Sequence, residues 1–384
     1  MGQAKIIILG ATGSIGMSAC ACIRRFPDRF RVAAMSANNN IDKLAALVKE
    51  FRPAAVCFGA SEKAAALKGI MPKEVRVFTG VKGLEELVEQ ADFDILCNAL
   101  VGAVGLRPTV AALKRNKRVA LANKESLVIG GDYITSLLHQ KKGELVPVDS
   151  EHSAILQCLA GSERDGVESV ILTASGGPFR EQPLDTFKDI TPKDALNHPT
   201  WNMGKKITID AATLVNKGFE LIEAHHLFAM PYEKLRVVIH PQSVVHSMVE
   251  FHDGAIIAQM GVPDMELPIQ LALSYPERLP LAGKRLDLAK LRALTFFEPD
   301  FTRFPCLKLC IDAGKTGGTM PAALNAANEV AVQAFLDNKI GFNRIAELIQ
   351  GACDDHKPVP VDGVETVEKV DRETREKTRA RIRE

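Results

Sequence analysis

KIIILGATGSIG, residues Lys5 to Gly16, decides how the rest of the chain is read. An aliphatic run ends in Gly10, Gly13 and Gly16, and an apolar helical pattern follows. Glycines at a strand-to-helix junction permit a tight turn. They also let the backbone approach a pyrophosphate lying on the helix N-terminus. A ligand-free βα turn would use the same residues, so the pattern alone leaves both readings open. Its place at the first strand of a βαβ unit favours a dinucleotide site.

Outward from this stretch, short β-branched runs alternate with helical ones. Strands are expected at KIIILG, RVAAMS, AAVCF, VRVF, DILCNAL, RVALA and LVPV, with amphipathic segments such as DKLAALVKEF between them. That alternation predicts a Rossmann-like, doubly wound parallel sheet over residues 1–149. Residues 150–280 mix strand patterns (ESVILTAS, KITID, LRVVIH, AIIAQM) with helices, notably Ala212 to Phe228, and read as a central α/β or α+β domain with a mostly one-sided sheet. Residues 281–305 are irregular and rich in Leu, Pro and Arg, as in a linker. Residues 306–384 carry helical spacing and a closing charge run, which predicts a C-terminal helical bundle.

At the end of the second strand the chain reads MSANNN, Met35 to Asn40. An NAD site commonly has an acid there for the ribose 2′-hydroxyl. Ser and Asn leave room for a 2′-phosphate, so NADP is expected over NAD, although no arginine replaces the acid.

A chain of 384 residues exceeds one hydrophobic core. Forty-eight basic against 47 acidic residues argue against a nucleic-acid or anionic-membrane partner. No apolar run approaches a bilayer span, and the immediate entry into a strand leaves no room for a leader, so a cytoplasmic protein is expected. The eight cysteines are scattered, without the paired spacing of a zinc site, and are expected as free thiols in a reducing compartment.

VPVDSEHSAI, Val146 to Ile155, sets Asp149, Glu151 and His152 at a strand end. Asp149 or Ser150 could simply cap the next helix. Alternatively, the two carboxylates grip a hard cation. Being two residues apart, they would share a side on extended backbone. Polar groups also gather in LANKES (Lys124), TASGGPF (Ser175), NHPTWNMG (His198, Trp201, Met203) and NKGFE (Asn216, Lys217, Glu220). Glu220 could complete the carboxylate set, and three oxygen ligands without cysteine suit Mg²⁺ or Mn²⁺ better than zinc. Ser175, Asn216 and Lys217 are donors of the sort that hold a phosphate monoester. Each has a plainer reading: a surface lysine, a Lys217–Glu220 pair, a glycine turn. NHPTWNMG holds the chain's one tryptophan and reads either as a water-excluding lid or as a loop anchored by Trp201. The histidines at 225, 226, 240 and 246 are assigned to packing or supporting roles.

GATGSIG, LANKESLV, PVDSEHSAI, LTASGGPF, NHPTWNMG, DAATLVNKGFELIEAHHLF, IHPQSVVHSMVEF, GVPDMELPI and ALNAANEVAV occur in this order. Over essentially the full length the chain thereby resembles the 1-deoxy-D-xylulose-5-phosphate reductoisomerases. The resemblance implies a homodimer with an NADPH domain, a central catalytic, metal-binding and dimerisation domain and a helical C-terminus. It implies Asp149, Glu151 and Glu220 as metal ligands, and Lys124 and Ser150 beside the substrate's chelated carbonyl and hydroxyl. Lys124, Glu151 and His198 would be catalytic. Glu151 and Glu220 would also meet the substrate, Ser175, Asn216 and Lys217 its phosphate, and His198, Trp201 and Met203 would close over it. Cofactor contacts would come from Gly10, Thr12, Gly13, Ser14, Ile15, Ala37, Asn38, Asn39, Asn40, Asn123, Glu125 and Gly204. The implied reaction rearranges 1-deoxy-D-xylulose 5-phosphate, by retro-aldol cleavage and re-addition, to an aldehyde that NADPH reduces to 2-C-methyl-D-erythritol 4-phosphate.

Two positions depart from the family pattern. Ala211 stands where a phosphate-holding serine is usual, and Asn39 where many relatives have a basic residue. A semialdehyde dehydrogenase would need an activated cysteine, and none lies in the polar segments. A catalytically inactive Rossmann-type binding protein would have no need of three candidate ligands, Lys124 and a lid.

Overall fold

The structure is a computed structural model that describes residues 2–60, 69–201 and 203–383. The chain groups into two compact units, one of Met1–Ser126, Ile134–Ser153 and Met265–Gly283, the other of Leu127–Tyr133, Ala154–Asp264 and Lys284–Glu384.

The first unit is built on seven strands: β1 (Ala4–Leu9), β2 (Phe30–Ala37), β3 (Ala55–Phe58), β4 (Arg76–Thr79), β5 (Ile95–Asn98), β6 (Arg118–Leu121) and β7 (Glu144–Pro147). Their order is β4-β3-β2-β1-β5-β6-β7, and every neighbouring pair is parallel. Helices cover such a sheet on both faces, so its strands become continuous apolar runs. Ile6, Ile7, Ile8 and Leu9 are accordingly fully buried. The winding reverses between β1 and β5, and ligands of doubly wound sheets bind outside the strand C-termini at that crevice. The helix Glu266–Ser274, which lies late in the sequence, packs against the helix Ser14–Arg25 of this unit. An Arg25–Glu266 pair and a bidentate Arg29–Glu277 pair support it.

In the second unit β8 (Val167–Ala174), β9 (Leu235–Ile239), β10 (Val245–Phe251) and β11 (Ile256–Met260) form a mixed sheet in the order β11-β10-β8-β9. The central strand β10, in VVHSMVEF, was not among the strands expected from sequence. KITID, expected as a strand, is helical instead, within Lys205–Ala212. Its β-branched run misled because the pairing that decides is one helical turn long. Lys206 and Asp210 form an ion pair four residues apart at 2.8 Å, and the Thr208 hydroxyl donates to Gly204 O at 2.8 Å. Leu214, in the left-handed region at φ 59°, separates this helix from Val215–Phe228, so the helix expected from Ala212 starts three residues later.

Four C-terminal helices, Pro305–Thr316, Met320–Leu336, Phe342–Asp355 and Val364–Arg383, complete the second unit. Phe342 meets Phe179, Phe187 and Phe335 at ring separations of 5.3, 5.9 and 5.7 Å, joining the segment after β8 to these helices.

Candidate active site

The glycine-rich turn has the geometry its sequence implies. Gly10 adopts φ +81°, and a Cβ there would lie 2.5 Å from Ala99 O, in the segment that leaves β5. A Cβ on Gly16 would lie 2.3 Å from Gly10 O. Both glycines are therefore required for the backbone to close up at the switch point. Ser36, at the end of β2, pins the turn: its hydroxyl accepts from Gly10 N at 3.0 Å and its carbonyl from Ala11 N at 2.8 Å. Gly13 precedes the helix Ser14–Arg25, which has no side-chain cap and no acid in its first turn. By contrast, Asn40 caps Ile41–Phe51 and Asp42 follows it. An uncapped, acid-free N-terminus at a crevice is the cradle an anionic pyrophosphate fits.

Of the other cofactor candidates, Thr12 and Ile15 are part-exposed and Ser14 exposed, Ala37 is buried, and Asn38, Asn39 and Asn40 are exposed at the end of β2. Asn123 and Glu125 are buried at the end of β6. Asn123 caps Lys124–His139 by accepting from Ser126 N, and donates to Leu100 O, Gly102 O and Glu125 Oε2 at 3.0–3.1 Å. Gly204 precedes the helix Lys205–Ala212 in the second unit. One residue that the sequence reading passed over stands in the first group: Lys43 Nζ donates to Thr12 O at 3.0 Å. A lysine inside an amphipathic helix gives no signal until the turn it folds over is known.

In the same unit Lys124 Nζ donates to Asp149 Oδ2 at 2.9 Å, and both side chains are largely buried. Asp149 immediately precedes the helix Ser150–Cys158 and accepts from Ser150 N at 3.1 Å, while Glu151 lies in that helix's first turn. The extended backbone expected between the two carboxylates is therefore absent. The helix starts one residue earlier than that picture needs because Asp149 acts as its cap, its carbonyl accepting from Ser153 N at 2.9 Å. The Ser150 hydroxyl donates to Glu151 Oε2 at 2.6 Å, and His152 Nδ1 lies 3.9 Å from Asp149 Oδ2.

In the second unit the helix Val215–Phe228 carries Asn216, Lys217 and Glu220. Asn216 and Lys217 each donate to one Glu220 oxygen, one turn away, and Lys217 and Glu220 are buried. A Cβ on Gly218 would lie 2.3 Å from Cys310 Cβ, so this helix and Pro305–Thr316 press together at that point.

Ser175 follows β8. Its Oγ meets His198 Nε2 at 3.0 Å and accepts from Gly177 N at 3.3 Å. His198 Nδ1 accepts from the backbone N–H of Thr200 at 3.2 Å and of Trp201 at 3.0 Å. Nδ1 therefore carries no proton, Nε2–H donates to Ser175, and the Ser175 hydroxyl keeps its own proton for a ligand. Burial holds the His198 imidazole below its usual range, in keeping with this neutral form. Trp201 lies against His246 of β10, ring centroids 6.4 Å apart, and Met203 is part-exposed. Gly177, at φ +69°, sits where a Cβ would be 2.7 Å from Ala211 O, which puts position 211 beside the SGG turn.

All eight cysteines are free thiols. Burial pushes Cys20, Cys22 and Cys158 up to about 11 and Cys57, Cys97, Cys306 and Cys353 up to about 12. That is the wrong direction for the nucleophile of a semialdehyde dehydrogenase.

Fold and site residues together define a dinucleotide-dependent α/β enzyme with phosphate-type donors and with buried and part-buried carboxylates. Family models agree: 1-deoxy-D-xylulose 5-phosphate reductoisomerase matches residues 6–131, its C-terminal domain residues 145–228, and the DXP reductoisomerase C-terminal domain residues 260–377. The reductoisomerase of Caldanaerobacter subterraneus subsp. tengcongensis is 50% identical over 97% of this chain and 98% of its own. That of Chlorobium chlorochromatii is 50% identical over 96% and 97%. Among solved structures, the Zymomonas mobilis enzyme in complex with NADPH superposes with a TM-score of 0.92 at 43% identity, covering 99% of both chains. A DOX-P reductoisomerase in complex with NADPH, fosmidomycin and magnesium gives 0.94 at 40%, covering 99% of this chain and 98% of that one. The chain belongs to the 1-deoxy-D-xylulose 5-phosphate reductoisomerase family.

Proposed function

We propose that the chain carries out the family's reaction, the NADPH- and divalent-metal-dependent conversion of 1-deoxy-D-xylulose 5-phosphate to 2-C-methyl-D-erythritol 4-phosphate. The observation that carries this beyond the fold is the Ser175–His198 arrangement, a neutral imidazole and a hydroxyl with a proton to give, beside a segment built around Trp201. Residues 1–149, joined by Met265–Gly283, serve NADPH and supply Lys124 and Asp149, residues 150–264 serve metal, substrate and subunit pairing, and 306–384 support the latter.

Asp149 and Glu151 of the first unit and Glu220 of the second are the carboxylates that the family resemblance assigns to Mg²⁺ or Mn²⁺. The donor set fits such an ion: hard oxygens, with the thiols kept protonated elsewhere. A bound ion supplies Lewis acidity toward the substrate's carbonyl and hydroxyl, and NADPH supplies the hydride. Lys124 holds Asp149 in place and presents an ammonium to the same oxygens, stabilising the negative charge that builds there as the carbon skeleton is cut and rejoined. Ser150 orients Glu151. Ser175, Asn216 and Lys217 hold the phosphate, whose binding helps to close His198, Trp201 and Met203 over the substrate. That closure keeps the cleaved fragments and the aldehyde from water.

The working form is a homodimer in the cytoplasm. Eight free thiols support the compartment, and exposed Ile256, Ile257, Phe296, Phe297 and Phe301 support the pairing. Among the described residues no helix is long and apolar enough to cross a membrane. The test is loss of NADPH absorbance with 1-deoxy-D-xylulose 5-phosphate: turnover with Mg²⁺ or Mn²⁺, none after EDTA, and recovery on adding metal back. No turnover under either metal would overturn the proposal. Asp149→Asn keeps the capping geometry, so intact activity in that variant would overturn the ligand assignment.

A further inference from the structure

We propose that Lys43 is the residue that reads the 2′-phosphate of the cofactor in this chain. The end of β2 carries no charge to do so: Ser36 and Ala37 are buried, and the exposed Asn38, Asn39 and Asn40 are neutral. Asn40 is spent on the following helix, its side chain accepting from Lys43 N at 3.0 Å. That bond fixes the first turn of Ile41–Phe51, and from there the Lys43 side chain runs back toward the glycine-rich turn. Its Nζ donates to Thr12 O at 3.0 Å. Thr12 lies between Gly10 and Gly13, and Ser36 ties Gly10 and Ala11 to the end of β2.

The ammonium therefore spans the turn after β1 and the end of β2, the two segments between which a doubly wound fold seats the adenosine ribose. A lysine ammonium has three donors, and the carbonyl of Thr12 takes one. The others are available to a phosphate dianion, and a compact cation on a flexible stem suits that role. Asp42, one residue earlier and exposed, is the competing reader, because an acid here favours an unphosphorylated ribose. Its side chain makes no hydrogen bond to the turn, whereas that of Lys43 does.

The inference rests on the assignment of this crevice to NADPH, and the experiment separates the two. Dissociation constants of NADPH and NADH are measured on the full-length protein without substrate, by cofactor fluorescence or calorimetry. Wild type is expected to prefer NADPH. Lys43→Ala is expected to weaken NADPH about tenfold to a hundredfold, the range of one hydrogen bond to a charged group. NADH should stay within about twofold, and Lys43→Arg should keep the preference. NADPH affinity should also fall with added salt more steeply in wild type than in Lys43→Ala. Equal effects on both cofactors, no effect on either, or a ratio moved by Asp42→Asn instead would overturn the role of Lys43. A wild-type protein that binds neither cofactor, or does not prefer NADPH, would overturn the assignment beneath it.

Discussion

At the scale of single residues, protonation and one missing hydroxyl carry most of the consequences. His198 is held neutral by burial, and its Nδ1 accepts two backbone N–H groups. Its folded pKa lies below the ordinary imidazole value of about 6.5. The stability of this arrangement is thus complete above about 6.5 and is lost as pH falls through the depressed value. Protonating Nδ1 forces Thr200 and Trp201 to find other acceptors. Because Trp201 is the only tryptophan, its fluorescence reports this directly. The emission should change on acidification with a midpoint below about 6.5, and His198→Gln should abolish that transition. Position 211 is the other case. It lies beside the SGG turn through Gly177, yet an alanine there offers no donor. Restoring a hydroxyl in Ala211→Ser should lower KM for the phosphorylated substrate with little change in kcat. The gain would be about tenfold if a full hydrogen bond to a charged group forms. An unchanged or higher KM would show that another group already fills the role.

Among the elements, the helix Val215–Phe228 matters most, because three proposed site residues ride on it. Its position is set by the contact between Gly218 and Cys310. Gly218→Ala would ordinarily favour a helix by about 1 kcal/mol. Here the new methyl meets Cys310 Cβ at 2.3 Å, so the helices must part, at a cost of about 1–3 kcal/mol for overpacking. A lower melting temperature is expected, together with a kcat loss larger than that of a surface alanine. Combining the change with Cys310→Gly, which removes the Cβ that is met, should restore part of both. The preceding helix shows why sequence pattern fell short at this level. KITID alternates as a strand does, but the Lys206–Asp210 pair, the Thr208–Gly204 hydrogen bond and the buried Asp210–Asn328 hydrogen bond of 2.9 Å, contributed by the distant helix Met320–Leu336, support the helix.

For the whole molecule, the second sheet ends in the edge strand β11, where Ile256 and Ile257 are 53% and 44% exposed. Monomeric proteins rarely leave a flat apolar edge open. The homodimer proposed above is therefore expected to be lost in an Ile256→Lys, Ile257→Glu double variant, read as a halved mass in light scattering. A protein whose wild type is already monomeric at micromolar concentration would remove the basis of this prediction.

Legibility followed the range of the forces. The seven strands of the first unit, its parallel winding and the glycine-rich turn were all readable, since buried strands, amphipathic helices and a tight turn are dictated by residues within a few positions of one another. The same holds for the four closing helices. What the neighbourhood in sequence does not contain was not readable. The strand β10, the helix at Lys205–Ala212 and the return of Glu266–Ser274 to the first unit depend on partners far along the chain. So do the Ser175–His198 contact and the reach of Lys43 to Thr12. The residue types therefore determined the chemistry this chain can offer. The tertiary structure alone decided where each group points and what it has already bonded, because those bonds close loops of tens to hundreds of residues that no local pattern encodes.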